Sequence, residues 1–311
     1  MFPLLRRMRG TLRGTLLGVV LAAAQPGEGQ VLQVDVDLVN IYVTVSNTKG
    51  RVIADIDRES FTVLEDGRPQ QITNFSREID VPLTMVMVLD TSGSVREKLR
   101  FEKDAAMQFL LATLRPGRDK AAVFTFDTKL ELTQDFTDDT ALLSQGVTRA
   151  RAGGGTRLYD ALYVVLSEKL SGPEDRKVIV LVTDGDDNSS RHSVEEVVEL
   201  AQRNNVSIYA VSTNRTGIRW PGSNENDGVI GMLSAETGGR AFFPNSVKQL
   251  GAHFVKIGNE LRSQYSIAYR STNSIKDGSF RRIQIDVKQS KYVVRARSGY
   301  YAPQQVAVQQ R

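Results

Sequence analysis

The sequence predicts an α/β fold: a doubly wound, mostly parallel sheet inserted in a small β-sandwich made from N- and C-terminal strands. Three observations carry this reading. Apolar runs at 86–89, 178–182 and 206–211 have strand length and no polar face, as strands buried on both sides of a parallel sheet require. Stretches with helical periodicity separate them. The two ends of the chain instead alternate apolar and polar residues, which is the pattern of half-buried strands.

At 311 residues the chain exceeds one typical domain and can bury a sizeable core. It has no cysteine, which excludes disulfides, thiolate catalysis and zinc–thiolate sites. His192 and His253 are the only histidines; their spacing suggests no ligation, and both are expected at the surface. The net charge of +4 is carried by Arg6, Arg7, Arg9 and Arg13, and without them basic and acidic residues balance. A neutral body argues against a nucleic-acid partner.

Those arginines open a targeting segment. They precede an apolar stretch at 15–24, TLLGVVLAAA, that closes on Ala22, Ala23 and Ala24. This is the basic, apolar, small-residue order of a signal peptide, so residues 1–24 are expected to be removed and the protein exported, to the periplasm or beyond. No later stretch is apolar and long enough to span a membrane.

Residues 25–80 form the N-terminal β segment. Val34, Val36 and Leu38, then Ile41, Val43 and Val45, alternate as a half-buried strand, with a turn at 47–50. The runs at 61–64 and 72–75 flank Glu65-Asp66-Gly67-Arg68, whose Asp-Gly pair is a hairpin signal. Residues 263–311 supply matching strands at 265–269, 280–287 and 292–297, with a turn at Asp277-Gly278.

Residues 81–262 alternate strand and helix. After the first buried strand, Leu99, Ala106, Phe109, Leu110 and Leu114 share a helical face that ends at Pro116-Gly117. The run at 121–126 is a strand, and 130–136 follows too soon for a crossover, so it is expected as an antiparallel edge strand. A short helix at 139–149 leads to Gly153-Gly154-Gly155. Leu158, Leu162, Val165 and Leu166 mark the next helix, and Ser193 with Glu196 forms a capping box for another. Residues 214–228, with Trp220-Pro221-Gly222, are polar and aperiodic and are expected as a loop. Phe254, Ile257 and Leu261 mark the last helix.

The candidate site lies where the first buried strand ends, in VMVLDTSGSV at 86–95. Open α/β sheets build sites at the carboxyl ends of their strands. Asp90, Ser92 and Ser94, at i, i+2 and i+4 on a tight loop, can point at one spot. An all-oxygen set suits Mg²⁺, Mn²⁺ or Ca²⁺ rather than zinc. Thr156 follows the glycine run, and Asp184 ends the strand at 178–184.

Asp90-Thr91-Ser92-Gly93-Ser94, then Thr156, then Thr183-Asp184-Gly185, resembles the metal-ion-dependent adhesion site of von Willebrand factor type A domains, over roughly residues 81–261. The resemblance implies a Rossmann-like fold and a cation held by Asp90, Ser92, Ser94, Thr156 and Asp184. It further implies one open position that an acidic side chain of a protein partner fills, and no catalysis. Glu65-Asp66-Gly67 and RSGYYAP at 297–303 add a resemblance to exported bacterial von Willebrand A-related proteins. The competing reading is a Mg²⁺-dependent phosphoryl-transfer enzyme of haloacid-dehalogenase type, with Asp90 as nucleophile. Thr91 and Ser92 stand where such enzymes carry Lys-Thr or a second Asp, and the hydroxyl set with Thr156 has no counterpart there.

Overall fold

The computed structural model describes residues 38–304 except 78–80, 173–175, 215–222 and 290, with 223–225 described by their backbone alone. The expected signal peptide, the alternating pair Val34 and Val36, and Trp220 lie outside the described residues.

The chain opens with β1 (Leu38–Asn47), β2 (Phe61–Glu65), β3 (Arg68–Gln70) and β4 (Ile72–Ser76). Next come β5 (Leu83–Asp90), α1 (Leu99–Thr113), β6 (Lys120–Phe126), β7 (Leu130–Thr137), α2 (Thr140–Arg149) and α3 (Leu158–Val164). They are followed by β8 (Arg176–Thr183), α4 (Val194–Arg203), β9 (Val206–Ser212), α5 (Ser223–Glu236), β10 (Ala241–Phe242) and α6 (Leu250–Arg262). The chain closes with β11 (Tyr265–Arg270), β12 (Phe280–Val287), β13 (Tyr292–Arg295) and β14 (Gly299–Tyr301).

The central sheet has the order β10-β9-β8-β5-β6-β7 and is parallel except for β7, which pairs antiparallel to β6 at the edge. Every residue of β5 and of β8 is buried. Met85, Met87 and Leu89 face α1, α2 and α6, while Val86 and Val88 face α3, α4 and α5, so alternate side chains feed two separate cores. That two-sided burial is why these strands read as continuous apolar runs. Asp139 caps α2 by accepting from Ala141 N and Leu142 N, and Ser193 and Glu196 complete the expected capping box on α4.

The flanking strands form two antiparallel sheets, β13-β1-β11-β4 and β14-β12-β2-β3. Ile41, Val43, Val45 and Ile267 from the first pack against Phe61, Val63, Ile283 and Ile285 from the second. N-terminal strands thus pair with C-terminal ones in both sheets, through β1 with β11 and β2 with β12. Glu65 is buried at the centre, accepting from Tyr269 Oη at 2.7 Å and Tyr300 Oη at 3.0 Å beside the guanidinium of Arg281.

Four expectations need correction. The Asp66-Gly67 turn joins β2 to β3, not to 72–75; β4 crosses to the other sheet and pairs with β11. Asp66 and Gly67 both take positive φ, 48° and 77°, as a tight hairpin turn of this hand demands. In β1 the inward set is Val39, Ile41, Val43 and Val45, and Leu38 is exposed. Within the segment expected as a loop at 214–228, residues from Ser223 onward are the first turns of α5. These turns are polar because α5 buries mainly Ile230 and Leu233 further along, so the apolar stripe starts too late to be seen. The histidines are half-buried rather than at the surface: His192 pairs with Asp160 at 2.8 Å and stacks on Tyr163, and His253 lies beside Phe242.

Candidate metal centre

β5 and β8 are neighbours, and the order of the sheet reverses there: the chain leaves β5 for β6 on one side and reaches β8 on the other. Their carboxyl ends therefore open a crevice at a topological switch point. Asp90 is the last residue of β5, and Thr183, the last of β8, lies beside it.

Backbone and side-chain bonds fix the first loop. Asp90 is fully buried; its Oδ1 accepts from Ser92 N at 2.8 Å and its Oδ2 from the Thr183 hydroxyl at 2.7 Å. The Oγ atoms of Ser92 and Ser94 lie 3.0 Å apart, with Ser92 buried and Ser94 exposed. The glycine loop is stitched to this one by Gly153 N to Thr91 O at 2.8 Å and Gly93 N to Gly154 O at 3.1 Å. Gly154 has φ 74°, and a Cβ there would meet Asp127 Oδ2, in the turn between β6 and β7, at 2.8 Å, so this position favours glycine. Thr156 follows, buried, its amide donating to Asn188 Oδ1 at 3.3 Å. In the third loop Gly185 has φ 77° and donates to Thr183 Oγ1 at 3.0 Å, which turns the chain sharply after buried Asp184.

The structure thus brings the Asp90, Ser92 and Ser94 loop together with those carrying Thr156 and Asp184. Among the described residues no group of three His, Cys, Asp or Glu is placed to hold a metal ion. The candidate set is instead two carboxylates and three hydroxyls.

Electrostatics shows what this set lacks. Burial, then the neighbouring Asp184 carboxylate, push the Asp90 carboxyl up to about 6, against the hydrogen bonds from Thr183 and Ser92. Beneath it lies Glu102 of α1, only 1% exposed, whose Oε1 has no hydrogen-bond partner among the described residues. Burial and then the charge of Asp90 push Glu102 up to about 8; Lys98 opposes this and Asp184 adds to it. Lys98 spends one donor on Thr213 O at 2.9 Å. Three carboxyls therefore crowd the crevice, with one amine near them among the described residues, an arrangement that favours a cation. Hard oxygen donors in a negative field fit a divalent ion.

Glu102 is the residue that the sequence reading passed over. Its signal is its position: Leu99, Glu102, Ala106 and Phe109 fall on one helical stripe, so the periodicity that buries three apolar side chains buries a carboxyl with them. Thr183 was visible only as part of the Thr183-Asp184-Gly185 motif, because a hydroxyl at a strand end does not announce its partner.

The von Willebrand factor type A domain model matches residues 84–255. The uncharacterised protein sll0103 of Synechocystis sp. is 30% identical over 108 residues, covering 34% of this chain and 26% of that protein. The match thus spans about a quarter of that relative's length. Proximal thread matrix protein 1 from the mussel byssus superposes with a TM-score of 0.51 at 18% identity, over 64% of this chain and 51% of that one. A second structure of that protein, with a zinc-occupied MIDAS motif, gives 0.49 at 17% identity, over 60% of this chain and 49% of that one. At 18% identity the first of these likenesses is one of fold alone.

Proposed function

The chain belongs to the von Willebrand factor type A domain family, and on that premise we propose that it is an exported, non-enzymatic, metal-dependent protein-binding module. Residues 1–24 are its signal peptide, 81–262 the binding domain, and 25–80 with 263–311 the sandwich that carries it. The protein works in the periplasm or outside the cell. Ser92, Ser94 and Thr156 offer neutral oxygens to Mg²⁺, Mn²⁺ or Ca²⁺, and Asp90 and Asp184 act directly or through waters. Bound there, the ion supplies an electrophilic coordination position, which a carboxylate of a partner protein fills. Where Asp90 and Asp184 act through waters, the direct ligands are neutral and leave that position with a preference for an anion.

One observation carries the reading: Asp90 and Glu102 are buried with their carboxyls pushed up, and among the described residues the Lys98 amine alone opposes this for Glu102, at the meeting point of three loops rich in oxygen donors. The same geometry weighs against Asp90 as a phosphoryl-transfer nucleophile. Both its oxygens are held by hydrogen bonds, and none of its surface is exposed.

Thermal unfolding tests the proposal. A tenfold excess of Mg²⁺ or Mn²⁺ over its Kd should stabilise the fold by about 1.4 kcal/mol. Asp90→Ala should abolish this gain and raise the stability of the metal-free form by relieving repulsion with Asp184. Equal metal-induced shifts in wild type and Asp90→Ala would remove Asp90 from the site. Release of phosphate from an aryl phosphate, lost in Asp90→Asn, would establish the enzymatic alternative.

A further inference from the structure

Beside the candidate metal centre, α1 and the end of α2 enclose an open groove of about 500 Å³. Its lining includes Arg96, Arg100, Lys103 and Arg151, and among the described residues Asp104 is its only carboxylate. The groove adjoins the centre through both loops: Arg96 follows Ser94 by two residues, and Arg151 and Ala152 run directly into Gly153. At its far end the lining turns apolar, at Met107.

Two of these cations are held against one another. Lys103 Nζ donates to Thr148 O at 2.6 Å and Ala150 O at 3.1 Å, and Arg151 Nη1 donates to the same two carbonyls at 2.8 and 3.0 Å. After burial, the charge of Arg151 is the next cause lowering the pKa of Lys103, with Asp104 opposing. The carbonyls at the carboxyl end of α2 favour both cations, but the two charges repel one another, and an anion near them would relieve that repulsion. Among the described residues, none of the four cations forms an ion pair with a carboxylate. On the other side of the centre, the loop after β8 carries Asp186 and Asp187. The rim is therefore polar: one bank is basic and the other acidic.

We propose that this groove extends the docking surface, and that the partner presents an acidic segment: one carboxylate for the metal and at least one more for Arg96, Arg100, Lys103 and Arg151. The proposal rests on the metal-dependent reading above and adds a direction to it. The segment runs from the centre along α1 towards Met107, because Asp186 and Asp187 repel it on the other side. From Leu99, where α1 begins, to Lys103 is about 6 Å at helical rise, which an extended peptide covers in about two residues. The further carboxylates accordingly lie a few residues beyond the coordinating one.

Fluorescence anisotropy with two labelled peptides tests this. One carries a single glutamate among glycines and glutamines; the other adds two glutamates, three and four positions after the first. With Mg²⁺ or Mn²⁺ present, the three-glutamate peptide should bind about tenfold more tightly, and the gain should shrink as salt rises. Lys103→Gln with Arg151→Gln should erase the gain while leaving the metal-induced rise in Tm unchanged. Arg100→Glu removes an exposed side chain that holds no part of the fold together, so it should reduce the gain even if the double variant loosens α2. Equal binding of the two peptides, or a gain untouched by both variants, would overturn the groove. Binding that survives chelator and Ser92→Ala with Ser94→Ala, yet is lost in the groove variants, would overturn the carboxylate-on-metal reading and leave the groove standing. If neither peptide binds the metal-loaded protein, both fall.

Discussion

Replacing Glu102 by glutamine keeps the shape of the side chain and removes a charge that the folded protein resists. The folded carboxyl titrates at about 8, against an ordinary value of 4.5, because it is buried and faces Asp90. The folded state therefore holds a proton that the unfolded chain gives up above pH 4.5. Stability from this group falls as pH rises from about 4.5 to about 8 and changes little beyond. At 1.36 kcal/mol per pH unit the loss amounts to at most about 4–5 kcal/mol, and about half that if the crevice admits water on ionisation. Glu102→Gln should exceed wild type by no more than about 1 kcal/mol at pH 5 and by about 2–4 kcal/mol at pH 8.5. Urea unfolding in chelator at the two pH values measures this. Adding Mg²⁺ should narrow the gap at pH 8.5, since a cation in the crevice offsets the ionised Glu102. Parallel pH dependence in the two proteins would refute the reasoning, placing Glu102 where water reaches it.

Three further outcomes follow from the geometry. Gly185→Ala forces a Cβ to 2.5 Å from Ile230 Cδ1 at a φ of 77°, and should cost about 2–3 kcal/mol in chemical denaturation. Asp119 is raised by burial but held down at about 2 by hydrogen bonds from Arg115, Leu83 N and Arg262. It contributes about 2–3 kcal/mol above pH 4, lost as pH falls through about 2, so Asp119→Asn should flatten the acid limb of the unfolding curve. Glu65→Ala leaves Arg281 buried without its carboxylate and should destabilise the protein by about 3–5 kcal/mol, read as a lower urea midpoint.

The sheet and the loops of the candidate site were legible because they depend on local rules. A strand buried on both faces must be apolar throughout, and its carboxyl end must turn, so Asp90 and Asp184 stand out at the ends of such runs. What stayed hidden depends on distant contacts. The Asp66-Gly67 pair reveals a turn but not which strand follows it into the sheet, and β3 is only three residues long. β10 has two residues, too few for any period, and is a strand only because β9 lies beside it. Glu102 reads as one charge in an amphipathic helix until the fold sets it beneath Asp90. Likewise the convergence of Lys103 and Arg151, forty-eight positions apart in sequence, exists only once α2 ends against α1.

The central claim is that the loops ending β5, preceding α3 and following β8 hold one divalent cation. Calorimetric titration of Mn²⁺ into the metal-free protein measures it most directly, with Mg²⁺, Ca²⁺ and Zn²⁺ run alongside and the Ser92→Ala, Ser94→Ala double variant as control. The expected result is one site per chain in wild type, absent in the variant, whose metal-free unfolding midpoint is unchanged. Equal uptake by the two proteins, or none by wild type at millimolar Mn²⁺, would contradict it.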